Sequence, residues 1–363
     1  MKVMLVAGEA SGDMYSAYLA KEIKKKNPDC ELFGMGGIRM ENEGVKVIFP
    51  ISLDIIGILD FLLSIPKGFI LLNKVCGFIK ETKPDIVVLI DSAEFNLHLL
   101  QKIKRMNIKI AWLFPPTAWA WRRNRAKIVS KYVSLVLSTL PFERDFYKAY
   151  GAQVCFIGHP LLDIVKTNGK LEILDRKRVT ISLLPGSRKQ EIRRNLPIMI
   201  NSAKLLSSFI PELQFFIILA PGIEKSFVEP FISGFNIKMV SHSYDAMAQS
   251  DILITSSGTA TLEGTILGKP MVVVYKMDRL SWFLAKHLVK MKFASLPNII
   301  SNKMVVPELL GDNAKDELIA KEAISILNNK EKREDMQKSL LSVKDTLGPS
   351  GAMEEAAEAI IRL

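Results

Sequence analysis

A chain of 363 residues is too long for one ordinary core and, at about 100 to 200 residues per domain, predicts two. With 48% hydrophobic and 24% charged residues and no low-complexity tract, it is neither disordered nor fibrous. The three cysteines, Cys30, Cys76 and Cys155, are scattered and show no CxxC spacing, which excludes a disulfide framework or a thiolate metal site and points to a reducing compartment.

Met1 leads directly into KVMLVAG, a strand-like run, without the apolar h-region of a signal peptide, so a cytoplasmic location is expected. Short β-rich apolar runs then alternate with helical patterns, the signature of parallel strands joined by crossover helices. The first set of strands is predicted at Lys2–Ala7, Glu31–Gly34, Val45–Phe49, Asp85–Asp91, Lys109–Leu113, Val133–Ser138 and Gln153–Ile157, with helices such as Gly12–Lys26 and Asn96–Met106 between them. Ser52–Lys80 is the most apolar stretch, yet Asp54, Asp60, Pro66, Lys67 and Lys74 keep its uncharged runs below the roughly 18 residues of a spanning helix. It reads as helices covering a sheet or as a surface that dips into lipid.

Residues 163–178 are polar and read as a linker. The alternation then restarts at Thr180–Leu184, Gln214–Leu219, Ile237–Val240, Asp251–Thr255 and Met271–Tyr275, with helices such as Lys189–Phe209 and Thr259–Leu267. From Asp316 the chain is helical and charged, broken by GPSG at Gly348 before a last helix. The expected fold is α/β, with two Rossmann-like doubly wound domains facing each other across a cleft. The first spans residues 1–162 and is rejoined by the C-terminal helix 349–363; the second spans 163–348.

Ligands of such sheets bind where strands end and helices begin. The first such place is VAGEASGD, where Gly8 and Gly12 permit a close backbone approach, Ser11 and Asp13 are expected to cap the following helix, and Glu9 is expected to point into the cleft. The second is IVVLIDSAEFN, in which Asp91 ends a buried aliphatic run, a setting suited to a general base or simply to a helix cap; Glu94 and Asn96 follow. In SLLPGSRKQEIRR, Ser187 and Arg188 at a helix start supply the amides, hydroxyl and guanidinium that a phosphate requires. TSSGTATLEG places Ser257, Gly258 and Thr259 at another helix start, with Glu263 one turn later as an acceptor for ribose hydroxyls. Neither GxxxxGK[ST] nor GxGxxG occurs, so the phosphate site is not a Walker loop or a dinucleotide fingerprint. The histidines at 98, 159, 242 and 287 stand singly, so no metal site is expected; His159 in GHPLLD either lines the cleft or shapes a turn, the turn being favoured.

Net charge is +11, and it is unevenly spread: residues 101–150 carry 11 Lys/Arg against 2 acids, residues 171–363 carry 25 against 22. The basic segment contains FPPTAWAWRRNR, with Trp119, Trp121, Arg122, Arg123 and Arg125. Charge of this kind attracts nucleic acid, anionic lipid or a phosphorylated substrate, and does not choose among them. No nucleic-acid motif accompanies it, so no nucleic-acid partner is expected.

Taken together, GEASGD, IDSAEFN, PPTAWAWR, IGHPL, LLPGSR, SSGTATLE and SLPN, in this order from residue 8 to residue 298, resemble the lipid-A-disaccharide synthases. The pairing of GEASGD with WAWR is the most telling, because other sugar-nucleotide enzymes carry cousins of PGSR and SGTATLE. Pro115, Thr117 and Glu94 depart from the family's common residues. The resemblance implies a GT-B glycosyltransferase fold and inverting transfer from UDP-2,3-diacylglucosamine to 2,3-diacylglucosamine 1-phosphate. The products would be the β-1,6 lipid A disaccharide 1-phosphate and UDP, within lipopolysaccharide synthesis and outer-membrane biogenesis in Gram-negative cells. It further implies Asp91 as base and Glu9 as an orienting acid. Ser187, Arg188, Ser257, Gly258, Thr259, Glu263 and Asn298 would lie on the UDP side. Gly8, Ser11, Gly12, Asp13, Asn96, Trp119, Trp121, Arg122, Arg123 and Arg125 would serve the acceptor, its phosphate or lipid. No cofactor and no metal are expected. An anionic membrane surface at the inner membrane and a homodimer are the further expected partners. The rival readings are another GT-B-type enzyme using UDP-N-acetylglucosamine, a 2-epimerase or a lipid II-forming transferase, and, more remotely, a basic nucleic-acid-binding protein.

Overall fold

The computed structural model describes residues 1–51, 58–167, 178–210, 212–278 and 291–363, without the side chains of 58–67. Part of the apolar stretch 52–80, most of the linker, and His287 lie outside the described residues. The chain forms two compact units, Met1–Pro160 with Leu347–Leu363, and Leu161–Thr346.

In the first unit the strands are β1 (Lys2–Ala7), β2 (Glu31–Gly36), β3 (Lys46–Pro50), β4 (Ile86–Ile90), β5 (Lys109–Leu113), β6 (Leu135–Ser138) and β7 (Val154–Phe156). They form one parallel sheet in the order β3-β2-β1-β4-β5-β6-β7. Residues such as those of IVVLI at β4 are buried throughout, as strands covered by helices on both faces must be. The helices are α1 (Ala10–Lys26), α2 (Ile38–Asn42), α3 (Ile58–Thr82), α4 (Ala93–Ile103), α5 (Asn124–Tyr132) and α6 (Pro141–Ala149). The winding reverses between β1 and β4, which makes their carboxyl ends the switch point of the sheet.

The second unit holds α7 (Leu161–Ile164), then β8 (Val179–Leu184), α8 (Lys189–Phe209), β9 (Leu213–Leu219), α9 (Lys225–Ile232), β10 (Lys238–Ser241) and α10 (Tyr244–Gln249). It continues through β11 (Ile252–Ser256), α11 (Thr259–Ile266), β12 (Met271–Tyr275), α12 (Leu296–Ser301), β13 (Glu308–Leu310), α13 (Asp316–Asn328) and α14 (Lys330–Thr346). Its parallel sheet runs β10-β9-β8-β11-β12-β13, with the switch point between β8 and β11. Each unit has its own aliphatic core, with Trp112 and Tyr147 among the largest buried side chains of the first and Phe216 of the second.

The last helix, α15 (Ala352–Ile361), belongs to the first unit. Its buried face of Ala352, Ala356, Ala357 and Ile360 lets it lie close to α1, where Lys26 reaches Glu354 at 3.2 Å and Glu358 at 3.5 Å. Two details differ from the sequence reading. β13 was not foreseen, because three residues after Pro307 give too short a period to register. α1 starts at Ala10 with Glu9 as its N-cap, so Ser11 and Asp13 sit inside the helix and do not cap it.

Candidate active site

At the first switch point, the turn after β4 is held in an unusual backbone conformation. Asp91 and Ser92 both have left-handed φ values, 50° and 42°. Each such residue other than glycine costs of order 1 to 3 kcal/mol and persists only where its surroundings enforce it. Here they do: the Asp91 N–H donates to the Leu113 carbonyl at 3.1 Å, and the Gly8 N–H donates to Ser92 Oγ at 3.1 Å. The Asn96 amide donates to the carbonyls of Ile90 and Asp91 at 3.2 and 2.8 Å. Gly8 is needed for this approach, since a Cβ there would fall 2.6 Å from Ser92 Oγ.

The same geometry brings the first two sequence motifs together. Ser11 Oγ donates to Asp91 Oδ2 at 2.9 Å across 80 residues, orienting the carboxylate, and the exposed Glu9 stands two residues before Ser11. Three further residues of these motifs, Asn96, Gly12 and Asp13, face inward. Asn96 is fully buried and acts on the backbone of Asp91 rather than on solvent. Gly12 packs α1 against β1, where a Cβ would meet the Ala7 Cβ at 3.1 Å. The buried Asp13 carboxylate accepts from the N–H groups of Gly37, Arg39 and Met40 and so caps α2.

The loop after β5 carries the tryptophans and arginines. Phe114 and Arg122, with φ of 55° and 53°, bracket it. Pro115 and Pro116 are buried, and the Tyr147 hydroxyl donates to the Pro116 carbonyl. Trp119 Nε1 donates to Glu143 Oε1 at 3.0 Å, and Phe142 meets its ring edge-on at 4.8 Å. Burial pushes the Glu143 carboxyl up to about 7 against the opposing effect of these hydrogen bonds. The arginines are not equivalent. Arg125, 12% exposed, pairs with Glu94 and lies 5.2 Å from the Trp121 ring. Arg122 is more exposed, 4.3 Å over the same ring and 3.5 Å from Glu94. Arg123 is exposed. His159 is buried and its imidazole is driven down to about 3 by desolvation, while its backbone N–H donates to the Leu347 carbonyl, so it shapes the turn.

At the second switch point the groups are of another kind. Arg188 is the N-cap of α8, and Ser187 and Arg188 are exposed. The Glu191 carboxylate accepts from the Ser187 N–H at 3.1 Å and lies 3.6 Å from the Arg188 guanidinium, filling the anion-attracting end of the helix. Asn195 ties the loop down from inside, donating to Pro185 O at 3.0 Å and accepting from the Lys276 N–H at 2.8 Å. Gly258, the N-cap of α11, has φ 152° and ψ −157°, a region in effect reserved for glycine, with open space around it. Gly258 and Thr259 are exposed, and Ser257 Oγ donates to the Ala294 carbonyl at 3.0 Å. Glu263 is 8% exposed; it accepts from the Tyr244 hydroxyl at 3.3 Å and lies 3.6 Å from His242 Nε2.

Asn298 does not face outward. Its amide donates to Val306 O and Glu308 Oε1 and accepts from the N–H groups of Val305 and Val306, all within 2.9 Å, which fills its hydrogen-bonding capacity. Glu308 in turn accepts from the amides of Ala294 and Ser295, so this network fixes the carbonyl that Ser257 binds. Asn298 is therefore a bracing residue. Ser92, Glu143, Glu191, Asn195, Tyr244 and Glu308 are the participants sequence reasoning did not identify. Only Ser92, within IDSAEFN, and Glu191, the acid in SRKQE, left a trace there. Among the described residues no group of three or more His, Cys, Asp or Glu is placed to hold a metal.

The sequence matches the family profile described as lipid-A-disaccharide synthetase over residues 3–361. Among curated relatives, the lipid-A-disaccharide synthase of Nitrosococcus oceani is 36% identical over 376 residues, covering 99% of this chain and 96% of the relative. That of Myxococcus xanthus is 34% identical over 372 residues, covering 100% and 97%. Among solved structures, the UDP-GlcNAc 2-epimerase from Neisseria meningitidis bound to UDP-GlcNAc aligns over 100% of both chains with a TM-score of 0.72 at 14% identity. The calicheamicin glycosyltransferase CalG4 aligns over 99% and 98% with a TM-score of 0.64 at 13% identity. At that identity the structural likenesses establish the fold, two Rossmann-like domains of the GT-B class, and the sequence relatives establish more: the chain belongs to the lipid-A-disaccharide synthase family and is a glycosyltransferase.

Proposed function

We propose that this enzyme transfers the diacylglucosamine of UDP-2,3-diacylglucosamine, with inversion, to the 6-hydroxyl of 2,3-diacylglucosamine 1-phosphate, giving the β-1,6 disaccharide 1-phosphate and UDP. The match to the family over residues 3–361 carries this reading. In the reaction the Asp91 carboxylate takes the proton of the acceptor hydroxyl as its oxygen attacks the anomeric carbon, and the bond from that carbon to the diphosphate breaks. Ser11, hydrogen-bonded to Asp91 Oδ2, holds the carboxylate for that step, and Glu9 orients sugar hydroxyls.

The leaving diphosphate is stabilised by Arg188, by the Ser187 hydroxyl and by the amides at the start of α11, with Ser257 fixing that turn through the Ala294 carbonyl and Glu263 receiving the ribose. These cationic and dipolar groups supply the charge compensation that a divalent ion would otherwise give, so turnover is expected to persist in chelator. Arg122 and Arg123 are the arginines offered to the acceptor phosphate or to lipid headgroups, because both are exposed whereas Arg125 is largely buried against Glu94 and Trp121.

Peripheral association with the anionic inner membrane belongs to the same proposal. It is supported by the basic segment 101–150 and by Phe69 and Ile70 of α3, 52% and 55% exposed. No helix among the described residues is long and apolar enough to cross a membrane. Flotation with anionic vesicles that fails, or ignores salt, removes this part.

The deciding assay measures UDP release from acylated UDP-glucosamine with and without the monosaccharide 1-phosphate. Release that requires both acylated partners supports the reading. Turnover of unacylated UDP-N-acetylglucosamine in their place overturns it.

A further inference from the structure

We propose that Glu143 is a positioning residue for the acceptor: from the buried first turn of α6 it holds the indole of Trp119 and so sets the aromatic wall of the loop after β5. The inference rests on the reading of the first unit as the acceptor side.

Three neighbouring side chains of α6 act on one short stretch of that loop. Phe142 meets the Trp119 ring at 4.8 Å and 85°, Glu143 Oε1 accepts from Trp119 Nε1 at 3.0 Å, and the Tyr147 hydroxyl donates to the Pro116 carbonyl. The second oxygen of Glu143 accepts from the Leu140 N–H at 3.4 Å, so one carboxylate joins the loop to the start of the helix. Capping α6 would not by itself require a charge 4% exposed, since the reach-back from this position to the Leu140 N–H is made equally well by a carboxylate or amide left in solvent. A carboxylate kept in such a place is expensive unless its hydrogen bonds serve something. What it serves here is the single polar atom of Trp119, whose ring is only partly buried and so presents a face to solvent.

Two substitutions at Glu143 separate positioning from general stability. Glu143→Leu keeps the volume and removes the acceptor of the indole N–H; Glu143→Gln keeps an oxygen acceptor. In the assay of UDP release, Glu143→Leu is expected to raise KM for the monosaccharide 1-phosphate at least tenfold. Its kcat should stay within about threefold and its UDP affinity should be unchanged, while Glu143→Gln returns KM to within about threefold of wild type. Trp119→Phe should raise the same KM, and the double variant should add nothing further. A folded Glu143→Leu enzyme with wild-type acceptor KM overturns the proposal, as does additivity with Trp119→Phe. Should Glu143→Leu fail to fold, Trp119→Phe decides alone: an unchanged acceptor KM rejects it. If the wild-type protein transfers nothing from the acylated donor, the proposed function fails. Acrylamide quenching of Trp119, assigned by difference from Trp119→Phe, then tests the clamp: it should rise in Glu143→Leu and not in Glu143→Gln, and equal quenching in both rejects the clamp.

Discussion

The two sheets are wound alike and reverse direction at the same place, between β1 and β4 in one and between β8 and β11 in the other, yet the turns at those points are made of opposite chemistry. The first turn puts non-glycine residues, Asp91 and Ser92, into left-handed backbone and surrounds them with carboxylates and hydroxyls. The second uses glycine where the backbone is unusual, at Gly258 at the start of α11, while Ser187 and Arg188, paired with Glu191, stand at the start of α8. The same topology thus presents a carboxylate held by a hydroxyl in one unit and exposed serine, arginine and glycine residues at helix starts in the other. Strain at Asp91 and Ser92 is enforced by the hydrogen bonds around them, whereas at the second turn the unusual backbone falls on glycine, which adopts it without a Cβ penalty.

The comparison breaks most sharply at Asp91. Replacing it with Asn should lower turnover by roughly 10²- to 10⁴-fold, the usual worth of a general base, while UDP affinity stays within about twofold of wild type. UDP binding by calorimetry and turnover by UDP release check both halves, and near-normal turnover would remove Asp91 as base.

Titration sharpens the contrast, because the first unit buries two ionisable groups around its aromatic loop. Glu143 is raised from 4.5 to about 7, so the folded state holds its proton longer and stability is lost as pH rises through that window. His159, in ring contact with Phe114, is lowered from 6.5 to about 3, so stability is present above 6.5 and is lost as pH falls toward 3. Each slope is about 1.4 kcal/mol per pH unit, and between pH 4.5 and 6.5 they oppose each other. In urea denaturation across pH, relative to wild type, Glu143→Gln should become steadily more sensitive to acid over that range. His159→Gln should do the reverse; parallel curves for all three proteins would contradict both assignments.

On the second unit, Arg188→Ala should weaken UDP binding by roughly 10- to 100-fold, the worth of a charge-assisted contact of about 1.5 to 3 kcal/mol, with no change in the acceptor KM. Unchanged UDP affinity would take Arg188 out of the UDP site. The smallest effect is expected at Gly258. Alanine there meets no neighbouring atom, so its penalty is backbone strain alone, about 1 to 3 kcal/mol, read as a lowered Tm.

Much of this was legible in the chain. Buried parallel strands announce themselves as unbroken aliphatic runs, and the turn residues that follow them, Glu9, Asp91, Arg188 and Ser257, are conspicuous because polar groups interrupt those runs. What was not legible is direction. Asn96, Asp13 and Asn298 occur within motifs beside residues that face outward, but their side chains satisfy buried backbone groups, and nothing in a local sequence distinguishes an inward amide from an outward one. Glu143 lay hidden for a related reason: its partner is 24 residues earlier, and neither spacing nor period links them.

The sequence by itself determined two α/β units, the strand ends where chemistry gathers and, through its motifs, the family. These follow from hydrophobic periodicity and short-range turn chemistry, which act over a few residues. Only the tertiary structure decided that Ser11 orients Asp91, that Arg125 is spent on Glu94 while Arg122 is more exposed, and that Asn298 braces instead of binding. Those outcomes depend on hydrogen-bond partners brought together by strand order and loop packing, often far apart in the chain. A carboxylate or amide acquires its role from whichever donor the fold places within about 3 Å of it.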